Sequence, residues 1–273
     1  QVKEIDLSLF QKFPDVSLAF NDVTAKDAIV NANKGNLIKA EKVYLQFSIW
    51  DLFDKNYRIR KIEMDQGIIN LIVYKDGSDN YHFWKTDTAK TNDSFSFDLQ
   101  KLMLDDVIIH YINFSSNQDY SCIAKDFVLK GKFRNDKYTM YANGGLFINF
   151  VNINGVKYFP GKNANIDLVL DVNETTDTYT FTEGGLYVGK LKFDVKGNVV
   201  YNERKQLLNL LITGAEVELQ SFLNEMPYQY RKYTEGYKGS GAFYFTAKIN
   251  GSVLNDKIPT VIIDFGIENG KLA

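Results

Sequence analysis

The feature that most constrains this chain is a two-residue alternation of apolar and polar side chains along short runs that stop at glycine, asparagine or aspartate. Leu191, Phe193 and Val195 stand between Lys190, Lys192, Asp194 and Lys196, and Gly197-Asn198 follows. Strand side chains point alternately to opposite faces, so such spacing builds a sheet with one oily and one wet side. The same pattern recurs in Val43, Leu45 and Phe47, in Ile166, Leu168 and Leu170, and in Phe243, Phe245, Ala247 and Ile249.

Strand runs at near-regular spacing with turn residues between them predict an antiparallel meander, because parallel units demand intervening crossovers. Asn21-Asp22, Gln66-Gly67 and Asp76-Gly77 read as turns, the last as a hairpin signal. The four prolines agree with a backbone committed to ladders that proline interrupts. Two places break the alternation. Ser48 caps a short helix expected near 48–55, and Leu219, Phe222, Leu223, Met226, Tyr230 and Tyr233 recur at helical spacing over 219–234. Pro227 divides the second into two short helices. The expected fold is mostly β, a curved antiparallel sheet forming an open groove or a sandwich-like meander, with a few short helices. Composition does not change along the chain, so 1–273 reads as a single β domain with no internal boundary.

With 32 basic and 34 acidic side chains and no basic run, the charge pattern of a nucleic-acid binder is absent. The lone Cys122 excludes an internal disulfide and a cysteine metal site. His82 and His110 lack ligand spacing, and His110, beside Ile108 and Ile112, reads as a rim or core histidine with a hydrogen-bond partner. Asp105 and Asp106 face opposite ways on a strand and share no proton. Asp76-Gly77-Ser78-Asp79-Asn80 resembles a calcium loop without its final bidentate glutamate, and the same residues suit a hairpin turn better. A strand follows Lys238-Gly239-Ser240-Gly241, which excludes a phosphate cradle. No nucleophile, base and orienting group assemble, so no enzyme, metal or cofactor is expected.

Two regions carry a family resemblance. Phe13-Pro14-Asp15-Val16-Ser17-Leu18, Leu37-Ile38-Lys39-Ala40-Glu41-Lys42-Val43, Ile62 to Leu71 and Asp76-Gly77-Ser78-Asp79-Asn80-Tyr81 resemble the opening of AsmA-like proteins. Gly251-Ser252-Val253-Leu254, Ile258-Pro259 and Phe265-Gly266-Ile267-Glu268-Asn269-Gly270 are similar to the later repeats of that family. The resemblance implies a periplasmic protein, tethered to the inner membrane by an N-terminal helix. It also implies an apolar β-groove concerned with lipid passage and outer-membrane biogenesis or maintenance. The chain starts at Gln1 and ends three residues past Gly270, so the expectation is the N-terminal part of a longer protein whose anchor is absent here.

An open sheet would turn Ile166, Leu168, Leu170, Leu191, Phe193, Val195, Phe243, Phe245 and Ile249 toward one trough that fits an acyl chain. The same residues could instead pack against a second sheet or the late helices, and the resemblance selects the trough. Lipid acyl chains are therefore the expected partner. The alternative is a scaffold that pairs exposed strand edges with other envelope proteins.

Overall fold

The computed structural model describes residues 2–8, 15–27, 35–48, 50, 57–81, 95–133, 135–202, 205–226, 230, 232–253 and 259–272. They are mostly strand, as expected, and divide into two compact units, Gln1–Asn135 and Asp136–Ala273.

The first unit holds β1 (Glu4–Ser8), β2 (Asp15–Lys26), β3 (Asn36–Ser48), β4 (Tyr57–Val73), β5 (Phe95–Asn113) and β6 (Gln118–Lys130), paired in that order. Four of the five pairings are antiparallel, but β4 and β5 run parallel, with Ile62 beside Leu102 and Ile69 beside Ile109. The expected antiparallel meander is corrected at this point, and the sheet is mixed. A parallel pair needs a long return connection, which residues 74–94 provide.

A line of backbone breaks crosses this sheet. Asp22 in β2, Gln66 in β4, Asp106 in β5 and Asp126 in β6 all have φ near +50°. The register places three of them in one row, between Lys42, Asp65 and Asp105 on one side and Ala40, Gly67 and Val107 on the other. Each break shifts the alternation by one residue. Consequently Phe20 and Val23, Val43 and Ala40, Met64 and Gly67, and Leu104 and Val107 lie on one face, although each pair is three residues apart. That face is apolar on both sides of the line, and Met64, Leu104, Val107, Ala124 and Ala40, which flank it, are all buried. Such breaks bend a strand, and small residues at the line fit the inner side of the bend. Gly67 is obligatory there, since a Cβ would fall 2.6 Å from the Lys39 carbonyl oxygen and 2.9 Å from the Ala40 Cα.

The second unit holds β7 (Lys137–Ile153), β8 (Val156–Tyr158), β9 (Lys162–Asn173), β10 (Thr178–Val188), β11 (Leu191–Asn202), β12 (Lys205–Glu218), α1 (Leu219–Glu225), β13 (Gly239–Val253) and β14 (Thr260–Leu272). Its sheet runs β7-β9-β10-β11-β12-β13-β14, all antiparallel, with β8 a short hairpin on β7. Positive φ at Gly144, Gly184, Gly197 and Gly251 bends four of these strands. Gly184 has no freedom to become anything else, because a Cβ would overlap the Asp167 carbonyl.

Three expected turns are strand interiors. β2 runs on through Asn21-Asp22, β4 through Gln66-Gly67 and β11 through Gly197-Asn198. A turn does form at Tyr74–Asn80, where the Gly77 amide donates to the Tyr74 carbonyl at 3.0 Å. The late helix is present as α1 and ends before Pro227. The helix expected near 48–55 falls mostly outside the described residues, where Ser48 closes β3 and Trp50 is helical; of the second helix expected beyond Pro227, Tyr230 is helical and residues 232–234 form a turn.

Candidate functional site

Directly opposed residues of an antiparallel pair share a face, so the register of the second unit reads off its two surfaces. One row runs Met140, Leu170, Phe181, Gly197, Leu210, Ile249, Val261. Ala142, Leu168 and Gly184 belong to the next row on one flank, and Val195, Ile212, Ala247 and Ile263 on the other. Then come Gly144, Ile166, Leu186 and Phe193, with Phe245 and Phe265 beyond Gly214. A last row holds Leu146, Ala164, Val188 and Leu191, then Val217, Phe243 and Ile267. All nine residues singled out in the sequence therefore fall on one face, across the three strands β9, β11 and β13. No charged side chain interrupts these rows. The reverse face carries Asp167, Asp171, Lys192, Asp194, Lys196, Lys248 and Asp264 at the intervening positions.

The face is not uniformly open. At the end where β11 starts and β12 stops, Leu191, Val217, Leu219 and Phe243 form a buried cluster against which Phe159, Phe193, Phe222, Leu223 and Phe245 pack. Beside it Ile148, Ala164 and Val188 form a second cluster, also in contact with Phe159 and Phe193. The Phe222 ring stacks on Phe243 with centroids 4.0 Å apart, and Phe193 meets Phe245 edge-on at 5.5 Å. Gly214 makes that meeting possible: a side chain there would strike the Phe245 ring. Away from this end Ile166, Leu168, Val195 and Ile249 are half-buried, while Leu170 is buried. On β14 the face is exposed, with Ile263 at 58% and Phe265 at 71%.

α1 is fastened over the covered end by polar contacts. Lys162 Nζ at the start of β9 lies 2.9 Å from each carboxylate oxygen of Glu225, whose side chain is mostly buried. The Gly239 amide donates to Gln220 Oε1 at 2.8 Å, and Ser221 Oγ donates to Glu218 Oε2 at 3.0 Å.

At the opposite end of the same face aromatic hydroxyls replace aliphatic groups. Tyr138 Oη donates to Glu174 Oε1 at 3.0 Å, and burial together with that carboxylate raises its phenol well above the usual value. Burial first, then Glu174 and Asp177, pushes the Tyr179 phenol up to about 12, and its ring meets Tyr201 edge-on at 5.5 Å. On the reverse face at this end, a polar recess of about 480 Å³ is lined by Lys137, Thr139, Asp171, Thr178 and Thr180 among others. Thr139 donates to Asp171 at 2.8 Å across its floor.

The remaining polar groups are engaged in structure. Asp76 Oδ1 accepts from the Ser78 amide and hydroxyl, and Asp79 Oδ1 accepts from the Tyr81 amide. Asn80, fully buried, accepts from the Ile72 amide and donates to Asp27 and to the Asn70 carbonyl. The aspartate-glycine segment is thus a turn stitched by its own oxygens. His110 Nε2 lies 2.7 Å from Asp119 Oδ1 on the outer face of the first unit, and His82 is outside the described residues. Burial raises the Cys122 thiol. No group of three or more metal-ligating side chains occurs among the described residues, and none of their helices is long and apolar enough to cross a membrane.

A second apolar face, that of the first unit, lies outside the set expected from the sequence. Its members change phase at Asp22, Gln66 and Asp106, so simple alternation does not collect them. The signal available was an apolar spacing of three around a polar residue or glycine, repeated in successive strands.

No family model, curated protein or solved structure matches this chain.

Proposed function

We propose that this protein is a non-enzymatic, AsmA-like envelope protein that binds or guides lipid acyl chains along its apolar sheet face. In this reading it works in the periplasm, held to the inner membrane by an anchor outside this chain, in building or maintaining the outer membrane. The observation that carries the reading is the single uninterrupted apolar face of β7 and β9–β14, part of it accessible. Burial of each methylene contributes about 0.8 kcal/mol, so about ten methylenes held there offset the ordering cost of binding. No catalytic group is needed for this task.

Mass spectrometry of an organic extract of the purified protein tests it. Val195→Asp with Ile249→Asp is the variant of choice, since both side chains are half-buried and lie away from the packed aromatic cluster. Phospholipid or fatty acid present in the wild type and lost from a folded variant is the expected result. Equal lipid in both, or none in either, removes the reading.

The exposed apolar side of β14 favours a second reading, a scaffold that captures another strand along its outer edge. A strand with Ile263 and Phe265 this exposed is a template for pairing. Under that reading, charges placed on β14 abolish partner capture and leave lipid content unchanged.

A further inference from the structure

We infer that α1 and Phe159 form a closed end to the apolar face and set the longest acyl chain it accepts, an inference that rests on the acyl-binding function proposed above. The rows of the face end differently in the two directions along the strands. Toward Tyr138 and Tyr179 no helix among the described residues covers them. Toward Leu191 and Phe243 they run beneath α1, where Phe222 stacks on Phe243 at 4.0 Å and Phe159 sits 6.3 Å from Phe193. These rings occupy the volume that a continuing hydrocarbon chain would need. The cover is also fixed in place: Glu225 of α1 is paired with Lys162 of β9, and the backbone of Gly239 is held by Gln220. An acyl chain lying along the strands over Leu168, Ile166 and Val195 meets Phe193 and Phe222 with its methyl end and stops. Phe222 is the residue that decides the length, because its half-buried ring is the one aromatic group that α1 lays on the face, stacked on Phe243.

Titration calorimetry of the purified, delipidated chain with saturated fatty acids of increasing length tests this. For the wild type, affinity rises about fourfold per added methylene and then levels off at a limiting length. Phe222→Ala moves the limit to longer acids and Phe222→Trp moves it to shorter ones. Loss of stability alone cannot give opposite shifts from the two variants. Should Phe222→Ala fail to fold, Phe222→Leu gives a smaller shift of the same sign. An unchanged limit in folded variants that still bind overturns the closed end and leaves the acyl-binding face standing. Failure of the wild type to bind any acid overturns both.

Discussion

Two adjacent residues show how backbone conformation, and not side-chain chemistry, shapes the first unit. Gln66 has φ +49° while its side chain is exposed, so it carries the steric cost of the left-handed region without a burial reward. Gln66→Gly is expected to stabilise by up to about 1 kcal/mol and Gln66→Val to destabilise by about 1–2 kcal/mol. At Gly67 the constraint is space. The nearest fixed atoms to an added Cβ are backbone, so Gly67→Ala costs about 1–3 kcal/mol. Urea midpoints of the three variants at constant slope check both expectations. The same residues explain a limit of reading sequence here. Asn-Asp, Gln-Gly and Gly-Asn have the chemistry of turns because both turns and mid-strand bends need left-handed backbone. From one sequence the two uses look alike, and the strand lengths in β2, β4 and β11 were therefore not legible.

Among the elements, the covered end of the second unit depends on one ion pair joined to an aromatic stack. Lys162 and Glu225 are separated widely in the chain, and Glu225 is the more buried partner. Lys162→Met leaves that carboxylate without its cation in a mostly apolar surrounding, which costs more than losing an exposed pair. The expected outcome is a loss of about 1–3 kcal/mol, an estimate between exposed and fully buried pairs. Faster amide hydrogen exchange should be confined to α1 and the start of β13. Uniformly faster exchange over the whole second unit would show that the pair supports the sheet and not the helix. The α1 periodicity and its stop before Pro227 were legible in Leu219, Phe222 and Leu223. What this helix covers was not, since its partners Phe159, Phe193 and Phe243 come from three distant segments and only the register joins them. The nine face residues were legible as one set because β9, β11 and β13 keep strict alternation where those residues lie.

At the scale of the whole molecule, the tyrosines link stability to pH in both units. Burial is the first cause of a raised phenol at Tyr111 and Tyr120 in the first unit and at Tyr138, Tyr158 and Tyr179 in the second. Tyr120 and Tyr179 are each pushed up to about 12, against 10.0 for an unperturbed phenol. The sign follows from which state ionises first. Below pH 10 both folded and unfolded chains keep the phenols protonated, and these groups leave stability independent of pH. Above it the unfolded chain releases protons that the folded sheets still hold, so stability falls as pH rises from about 10 to about 12. Chemical denaturation at a series of alkaline pH values should show that fall. Tyr120→Phe and Tyr179→Phe should each flatten it, because a phenyl ring fills the site without a proton to lose. One site lies in each unit, so the double variant should lose about the sum of the two single slopes if the units titrate independently. A double-variant slope equal to that of one single variant would mean instead that the other phenol ionises alike in the folded and unfolded chain.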